Sequence, residues 1–398
     1  MKLDIKRFLV IGGILALVLS GCSAESGPDT ATPATAPDAE PAPAAAEETK
    51  TEAESWTMLD YFELNPEEKV KLDALRAISS VEAVPISVEV DKQFIAFVAP
   101  SFNLSEGWSR GRIAFEKRLQ ELGIPFKIDD YGSTDQDHQR QSAHVDAILA
   151  AGPEYYNFVV FGPTELGIQK ANIESLIEAG FNVVIWNYTT PLKDWEGKQP
   201  LSYIGFDHAE GANLLCDWVL ERTGGVGNFA VMRFIPGFID DQRNGVFSDC
   251  AEEGGMVNVY DHFSEGDNEK SYQGTMSTFT AYPDLVMIHA GNTAAALGAA
   301  TAAKERGLAG QILINGWGGG RSELDAILDG SLQVTPLRLQ DDFGVYPAEM
   351  LKMILEGNAV AIPLVGAGDF TLVDDSFSAQ DMLDATEYAY RYSQTLER

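Results

Sequence analysis

The stretch ILINGWGGGRSELDAILDGSLQVTPLRLQDD, residues 312–342, decides the fold expected of this chain. It predicts a buried strand at 312–315, a glycine-rich loop, a short helix at 322–328 and a second strand at 332–338. Strand, helix and strand in this order form a parallel βαβ unit. Trp317 and Arg338 then lie at the carboxyl ends of strands, where open α/β sheets bind their ligands.

The same alternation extends from Gln93 to Asp374. Runs rich in β-forming residues, such as Phe94–Ala99 and Asn228–Phe234, are each followed by a helical pattern. Repeated βαβ units predict parallel sheets that are covered by helices on both faces. This part of the chain is too long for one such sheet and suits two. We therefore expect an α/β protein with two Rossmann-like lobes.

The N-terminus predicts export. A basic start precedes a short apolar run, and the LSGC that ends at Cys22 resembles a bacterial lipobox. Residues 1–22 are therefore expected to be a lipoprotein signal peptide, with Cys22 acylated; the alternative is an ordinary signal followed by a chance cysteine. Residues 23–54 have the composition of a disordered acidic Ala/Pro tether, and 55–90 form an N-terminal extension. We expect a periplasmic protein held to the membrane only by its lipid, at the outer membrane in a Gram-negative host.

Composition excludes several functions. The formal net charge of −32 at pH 7 disfavours nucleic acid and anionic lipid as partners. The five histidines lack the spacing of a metal site, and no nucleophile elbow or phosphate-binding loop is present, so neither a metal nor a cofactor is expected. Cys216 and Cys250 either pair or stay buried and free. These features favour a binding protein over an enzyme, with a hydrolase of sugar-like substrates as the alternative.

Four longer runs resemble one known family: NYTTP at 187–191, QPLSYIGFDHAEG at 199–211, INGWGGG at 314–320 and SELDAI at 322–327. They resemble the LuxP-type autoinducer-2-binding proteins, within the ribose-binding type of periplasmic binding proteins. The resemblance implies two lobes that close on a ligand and are joined by three crossovers, near Phe206, Trp317 and Val365. It implies an N-terminal lobe of residues 91–206 and 318–364, and a C-terminal lobe of residues 207–317 and 365–398.

The resemblance also implies a set of ligand contacts. Carried over residue by residue, they fall on Ser105, Trp108, Asn187, Arg243, Thr293, Trp317 and Arg338, with Asn103 in place of a longer glutamine. Gly162 stands where the family has a hydroxyl, which removes one possible hydrogen bond to the ligand.

These residue types suit a small cyclic polyol without reference to any family. Indole rings such as those of Trp108 and Trp317 can close over the apolar C–H faces of a sugar-like ring. The side chains of Ser105, Asn187 and Thr293 can exchange hydrogen bonds with its hydroxyls. The guanidinium forks of Arg243 and Arg338 can hold oxygen atoms and carry fixed positive charge.

Structural alternatives exist for each candidate. Arg338 can pair with Asp341 or Asp342, and Arg243 can be a solvated surface residue. Trp108 can act as a hydrophobic staple, and Ser105 as the N-cap of the helix that follows it. The loop tryptophan can pack in the core, and the side chains of Asn187 and Thr293 can satisfy loop backbone.

Charge decides which ligand we expect. The sugar-binding members of the wider family typically have an aspartate at the position of Thr293 and an amide at that of Arg338, so this pocket is more positive than theirs. Buried arginines without a counter-charge are unfavourable, which predicts an anionic or electron-rich ligand. We expect the furanosyl borate diester of autoinducer-2, with boron as part of the ligand, presented to a membrane sensor kinase or an importer. The alternative is a pentose, hexose or related polyol delivered to the permease of an ABC transporter.

Overall fold

The computed structural model describes residues 55–100, 106–132, 137–195 and 197–394. The predicted signal peptide, Cys22 and the tether lie outside the described residues. In chain order, the first ten elements named here are α1 (Met58–Leu64), α2 (Pro66–Ser79), β1 (Gln93–Ala99), α3 (Glu106–Glu121), β2 (Phe126–Gly132), α4 (His138–Ala151), β3 (Phe158–Phe161), α5 (Leu166–Glu178), β4 (Val183–Trp186) and β5 (Ser202–Gly205).

The remaining elements follow without a long interruption. They are α6 (His208–Thr223), β6 (Asn228–Arg233), α7 (Phe238–Asp240), a π-helical segment (Asp241–Gly245), α8 (Val246–Glu253), β7 (Val257–Phe263), α9 (Asn268–Ala281), β8 (Leu285–Ala290), α10 (Thr293–Arg306), β9 (Leu313–Ile314), α11 (Arg321–Leu328), β10 (Val334–Arg338), α12 (Asp342–Leu355), β11 (Val365–Ala367), β12 (Phe370–Asp374) and α13 (Ala379–Ala389).

The first sheet has six parallel strands in the order β11-β5-β4-β3-β1-β2. Its inner strands β3, β4 and β5 are buried along their whole length. Side chains alternate between two apolar clusters, with Phe97 and Val160 on one face and Val98 and Phe161 on the other. A sheet covered on both faces needs continuous apolar strands, which is why these runs could be recognised in the sequence.

The second sheet is built on β7-β6-β8-β9, all parallel. Bridges from Asn315 to Val334 and from Gly318 to Leu337 place β10 beside β9, and β12 pairs antiparallel to β10. Apolar clusters again cover both faces. The prediction of an α/β fold with parallel sheets in two lobes is confirmed.

The chain passes between the lobes three times. The first crossover follows Phe206, between β5 and α6. The second lies between Arg338 and Asp342 rather than near Trp317, because the bridges of β9 to β10 keep residues 318–338 in the second sheet. The third lies after Ala367, since Val365–Ala367 still pairs with β5. The predicted boundaries at 318 and 365 therefore differ from those in the structure.

Helix α12 returns to the first lobe at a close helix contact. A Cβ atom at Gly344 would lie 2.0 Å from the carbonyl oxygen of Gly111 in α3. Only glycine fits at that distance, so this contact fixes α12 against α3 and separates it from α11 and β10, which stay in the second lobe.

The N-terminal extension packs on the first lobe through α1 and α2. Met58, Phe62 and Leu72 form an apolar cluster with Val365 and Ala367 of β11. Among the described residues, no helix combines the length and the apolar character needed to span a bilayer.

Cys216 in α6 and Cys250 in α8 form a disulfide, with their Cα atoms 6.3 Å apart. The sequence left this pairing open. The bond ties together two helices of the second lobe that precede and follow β6.

Candidate ligand-binding site

The described candidate residues lie at or just beyond the carboxyl ends of strands. In the first lobe, Trp108 is in the first turn of α3 and Asn187 directly follows β4. In the second lobe, Thr293 begins α10, Trp317 follows β9 and Arg338 ends β10. Arg243 belongs to the π-helical segment after β6. This edge is where doubly wound sheets bind ligands, and π-helical turns occur often at functional sites.

A buried carboxylate organises the glycine-rich loop. Glu323 of α11 accepts hydrogen bonds from the backbone N–H of Trp317 and of Gly319, both at 2.9 Å, and from the Thr335 hydroxyl at 2.6 Å. A Cβ atom at Gly316 would lie 2.6 Å from this carboxylate, so the loop can wrap around it only with glycine there. Sequence reasoning missed Glu323, although a glutamate three residues after a glycine-rich loop is the pattern of a helix N-terminus.

The ring of Trp317 lies at the centre of the second-lobe residues. It is 3% exposed, and its backbone carbonyl accepts a hydrogen bond of 3.2 Å from the Thr293 hydroxyl. Its indole Nε1–H is buried and has no hydrogen-bond partner among the described residues. One edge of the ring packs against Gly211, so part of the core-packing alternative holds. The unpaired N–H is unusual for a residue with a structural role alone, since nearly all buried polar groups are paired.

Arg243 and Arg338 converge near this ring. The guanidinium carbon of Arg243 lies 5.0 Å from the centre of the Trp317 ring, and its Nη1 donates to the carbonyl of Gly291 at 3.0 Å. Arg338 lies over the ring of Phe206 at 5.6 Å, and its Nε has no hydrogen-bond partner in the part of the chain that the structure describes. Within those same residues, neither guanidinium forms an ion pair with a carboxylate.

The alternative pairing of Arg338 is not observed. The carboxylate of Asp342 is paired with Arg391, and that of Asp341 accepts from the backbone N–H groups of Tyr392 and Ser393. Both acids are therefore engaged by the C-terminal segment. Among the described residues, neither acid pairs with Arg338, whose Nε has no acceptor.

The electrostatics of this group follow from burial. Desolvation lowers the pKa of Arg243 well below its usual range, and the neighbouring charge of Arg338 lowers it further. Desolvation also lowers the pKa of Arg338, and the Glu323 carboxylate partly offsets the effect on both groups. Glu323 is already engaged by the loop, so it does not cancel both charges. An anionic or oxygen-rich ligand would compensate them.

His208, which the sequence reasoning missed, lies beside the two arginines as a neutral polar side chain. Burial lowers its pKa well below 6.5, and the charges of Arg243 and Arg338 act in the same direction. The imidazole is therefore neutral at pH 7. Its Nδ1 lies 3.4 Å from Nε of Arg243, which donates to it, so the ring proton resides on Nε2. Its position at the first turn of α6, beside a crossover, gave no signal in the sequence.

The first-lobe candidates are placed differently. The Trp108 ring is 7% exposed and packs against Trp186 and Phe343, with ring centres 5.3 and 6.1 Å away. A Cβ atom at Gly162 would lie 2.3 Å from this ring, so the indole occupies the space that a side chain there would need. Trp108 thus packs in the core of the first lobe, as Trp317 does in the second, and its contact with a ligand stays a prediction.

Asn187 is exposed at the edge of the first sheet and has a left-handed backbone, with φ of 72°. Its backbone N–H donates to the carbonyl of Ile204 at 2.6 Å, which holds the residue just beyond β4. Asparagine adopts this conformation more readily than most residues. The alternative that Thr293 satisfies loop backbone is observed in its bond to Trp317. Asn103 and Ser105 lie outside the described residues and stay predictions.

Two lobes of parallel sheet with polar and aromatic residues at the facing strand ends define the solute-binding class of fold. The chain belongs to the periplasmic binding protein domain family, which matches residues 95–359. Membership implies an extracytoplasmic location. In the described part of the chain, no three His, Cys, Asp or Glu residues are grouped as metal ligands would be.

Individual relatives are distant. The chain is 23% identical over 250 residues to the D-ribose/D-allose-binding protein of Pseudomonas aeruginosa, a match that covers 62% of this chain and 76% of that protein. A solved periplasmic ribose ABC transporter structure from Conexibacter woesei is similar with a TM-score of 0.63 at 18% identity, covering 74% of this chain and 97% of that one. A solute-binding protein from Actinobacillus succinogenes with bound D-allose gives 0.58 at 20% identity, covering 73% and 99%. These structural likenesses support the fold alone. The relatives named are solute-binding proteins, not enzymes.

Proposed function

We propose that this protein is the extracytoplasmic binding component for a small cyclic polyol, most simply a furanose or pyranose sugar, which it delivers to an ABC permease. The observation that carries the proposal is the convergence of Arg243, Arg338 and Trp317 at the carboxyl ends of the strands of the second sheet, with the Trp317 Nε1 and the Arg338 Nε buried and unpaired among the described residues. The names of the relatives, which refer to ribose and allose, support a sugar-like ligand.

Each side chain has a role that suits such a ligand. The Trp317 ring offers a rigid apolar face on which C–H groups of a sugar ring can stack. Arg338 and Arg243 donate to ring and hydroxyl oxygens in a planar fork. Asn187, exposed beyond β4, can hydrogen-bond to a hydroxyl from the first lobe when the lobes close. Ligand is thus held from both sides of the cleft.

A second candidate ligand is favoured by charge. The two guanidinium groups lack a carboxylate partner among the described residues. At position 293 this chain has a threonine hydroxyl, whereas sugar-binding members of the wider family typically have an aspartate. An anionic polyol, of which the borate diester of autoinducer-2 is the specific case, would supply the missing negative charge. For that ligand the membrane partner is a sensor kinase or an importer. The lipid anchor predicted at Cys22 is compatible with either ligand and either membrane partner.

Calorimetric titration of the purified protein tests both versions. D-ribose, D-allose and autoinducer-2 are titrated in boron-free buffer and again with added borate. We expect saturable binding of at least one cyclic polyol, and loss of that binding in Arg338→Met. Equal affinity for a neutral sugar with and without borate supports the sugar version, whereas binding that requires borate supports the diester.

Binding of none of these compounds, together with a non-sugar ligand identified by mass spectrometry in the purified protein, would overturn the proposal. The permease and the sensor kinase are distinguished by which of the two membrane proteins the ligand-bound form stimulates in reconstituted vesicles.

A further inference from the structure

Helix α2 of the N-terminal extension is fixed to the first lobe. Leu75 is buried in the apolar core of that lobe, and Leu72 packs against β11. Glu68 accepts a hydrogen bond of 2.5 Å from the backbone N–H of Leu364, just before β11. The helix therefore moves with the first lobe when the lobes rotate.

Arg76, near the end of α2, binds elements on both sides of the hinge. Its Nε donates to the carbonyl of Ala367 at 3.0 Å, and its Nη1 lies 3.0 Å from a carboxylate oxygen of Asp369. Its Nη2 lies 3.1 Å from the carboxylate of Glu210. Ala367 and Asp369 flank the third crossover, whereas Glu210 is in the first turn of α6, where the second lobe begins. One side chain thus joins the first lobe to the second beside two crossovers.

The remaining crossover is tied to the same helix. Arg391 donates to the carbonyl of Ser79, the last residue of α2, at 3.2 Å, and to the carboxylate of Asp342 at 2.5 Å. Asp342 is the first residue of α12, directly after the second crossover. Helix α2 therefore contacts all three crossovers, either itself or through Arg391.

The charge balance at this point depends on Arg76. The Glu210 carboxylate is within electrostatic reach of Asp207 and Asp369, so three acids from two crossovers lie close together. Arg76 is 19% exposed and is positioned among them. Its removal would leave mutual repulsion in a partly desolvated place, where such effects are larger than at the open surface.

We propose that Arg76 is a positioning residue for ligand capture, because its contacts with Ala367, Asp369 and Glu210 restrict the rotation of the two lobes. When the rotation is already restricted, closing the two lobes on a ligand costs less conformational entropy. The affinity for the ligand is therefore higher, although Arg76 does not contact it. This inference rests on the proposed function. It assigns a role to helix α2 of the N-terminal extension, which contains none of the candidate ligand contacts.

A ligand-free distance measurement tests the restriction. Spin labels are placed on the full-length protein at Ile168→Cys in the first lobe and Val257→Cys in the second, which are 55% and 54% exposed. In Arg76→Met we expect a wider distribution of interlabel distances than in the labelled parent. Lys69→Met is the matched control, because it removes an exposed charge on the same helix that pairs with Asp73, also on α2. An unchanged distribution in Arg76→Met would overturn the proposal.

Affinity provides the second measurement, with whichever of D-ribose, D-allose and borate-supplemented autoinducer-2 binds the parent most tightly. We expect the Kd of Arg76→Met to rise about fivefold or more through faster dissociation, and that of Lys69→Met to stay within about twofold. Unchanged or tighter binding in Arg76→Met contradicts the proposal. If Arg76→Met does not fold, Glu210→Gln removes the same link from the other lobe and must give both effects. If the parent binds no probe, the proposed function fails, while the distances still decide the role of Arg76.

Discussion

The guanidinium carbon of Arg243 lies 5.0 Å from the centre of the Trp317 ring, while the Glu323 carboxylate accepts a hydrogen bond of 2.9 Å from the Trp317 backbone N–H. A cation over an indole face is partly stabilised by the ring. Among the described residues the guanidinium has no carboxylate partner, and the proposed ligand would accept from its remaining donors.

Arg338→Met is expected to weaken ligand binding by roughly 2 to 5 kcal/mol, the range for truncation of one partner of a buried charge-assisted pair. The free energy of unfolding of the ligand-free protein should not fall, because a buried charge without a partner contributes little stability. Calorimetry and urea denaturation measure the two effects. Arg306→Met, at an exposed position of the same lobe, is the control. An unchanged Kd in Arg338→Met would place this residue outside the site.

Glu323→Gln is expected to lower the free energy of unfolding by roughly 1 to 3 kcal/mol, since the charged acceptor of two backbone N–H groups and a hydroxyl is lost. Intrinsic Trp fluorescence should report a looser environment for Trp317. Asp325→Asn changes an acid on the same helix whose side chain is 67% exposed, and should leave both properties unaltered. Equal stability of the two variants would mean that the carboxylate does not organise the loop.

Gly162→Ser is expected to destabilise the first lobe by roughly 1 to 3 kcal/mol, because the added Cβ atom would overlap the Trp108 ring at 2.3 Å. The matched control is Gly167→Ser in α5, where a Cβ atom meets nothing within 4 Å. Thermal denaturation followed by circular dichroism compares the two. A serine tolerated equally well at both positions would show that the indole moves aside without penalty.

Stability should fall as the pH drops below 6.5, in part because of His289. Burial lowers the pKa of this fully enclosed imidazole to about 3, whereas an unfolded histidine titrates near 6.5. Below pH 6.5 the unfolded chain therefore binds a proton that the folded chain does not, and folding is disfavoured. Between pH 6.5 and 5 the contribution lost is roughly 1.5 kcal/mol. Urea denaturation of the parent and of His289→Gln over this range measures it, and identical pH slopes would contradict the assignment.

The fold was largely readable because its cause is local. Runs such as Phe158–Phe161 and Val183–Trp186 are apolar throughout, and that pattern marks strands covered on both faces. The second crossover was misplaced because nothing in the residues near Trp317 reveals that Asn315 and Gly318 bridge to β10. Which sheet β10 joins depends on long-range packing, because the strands of the two sheets have similar compositions.

The site was readable only in part. Residue type and strand-end position pointed to Trp317 and Arg338, and the family resemblance added Arg243; the structure brings the three together. The engagement of Glu323 by the loop and the neutral state of His208 depend on burial, which a single sequence does not reveal. Trp108 packs in the first-lobe core against Gly162, which the sequence did not reveal, and its contact with a ligand stays a prediction.

The bond between Cys216 and Cys250 has a practical consequence for anyone preparing this protein. It fastens α6, which begins with His208, to α8, which continues from the segment that carries Arg243. Closing a loop of 34 residues is worth roughly 3 to 4 kcal/mol of stability. Protein produced in a reducing cytosol would lack this disulfide. The relative positions of the His208 imidazole and the Arg243 guanidinium are therefore best studied in protein folded under oxidising conditions.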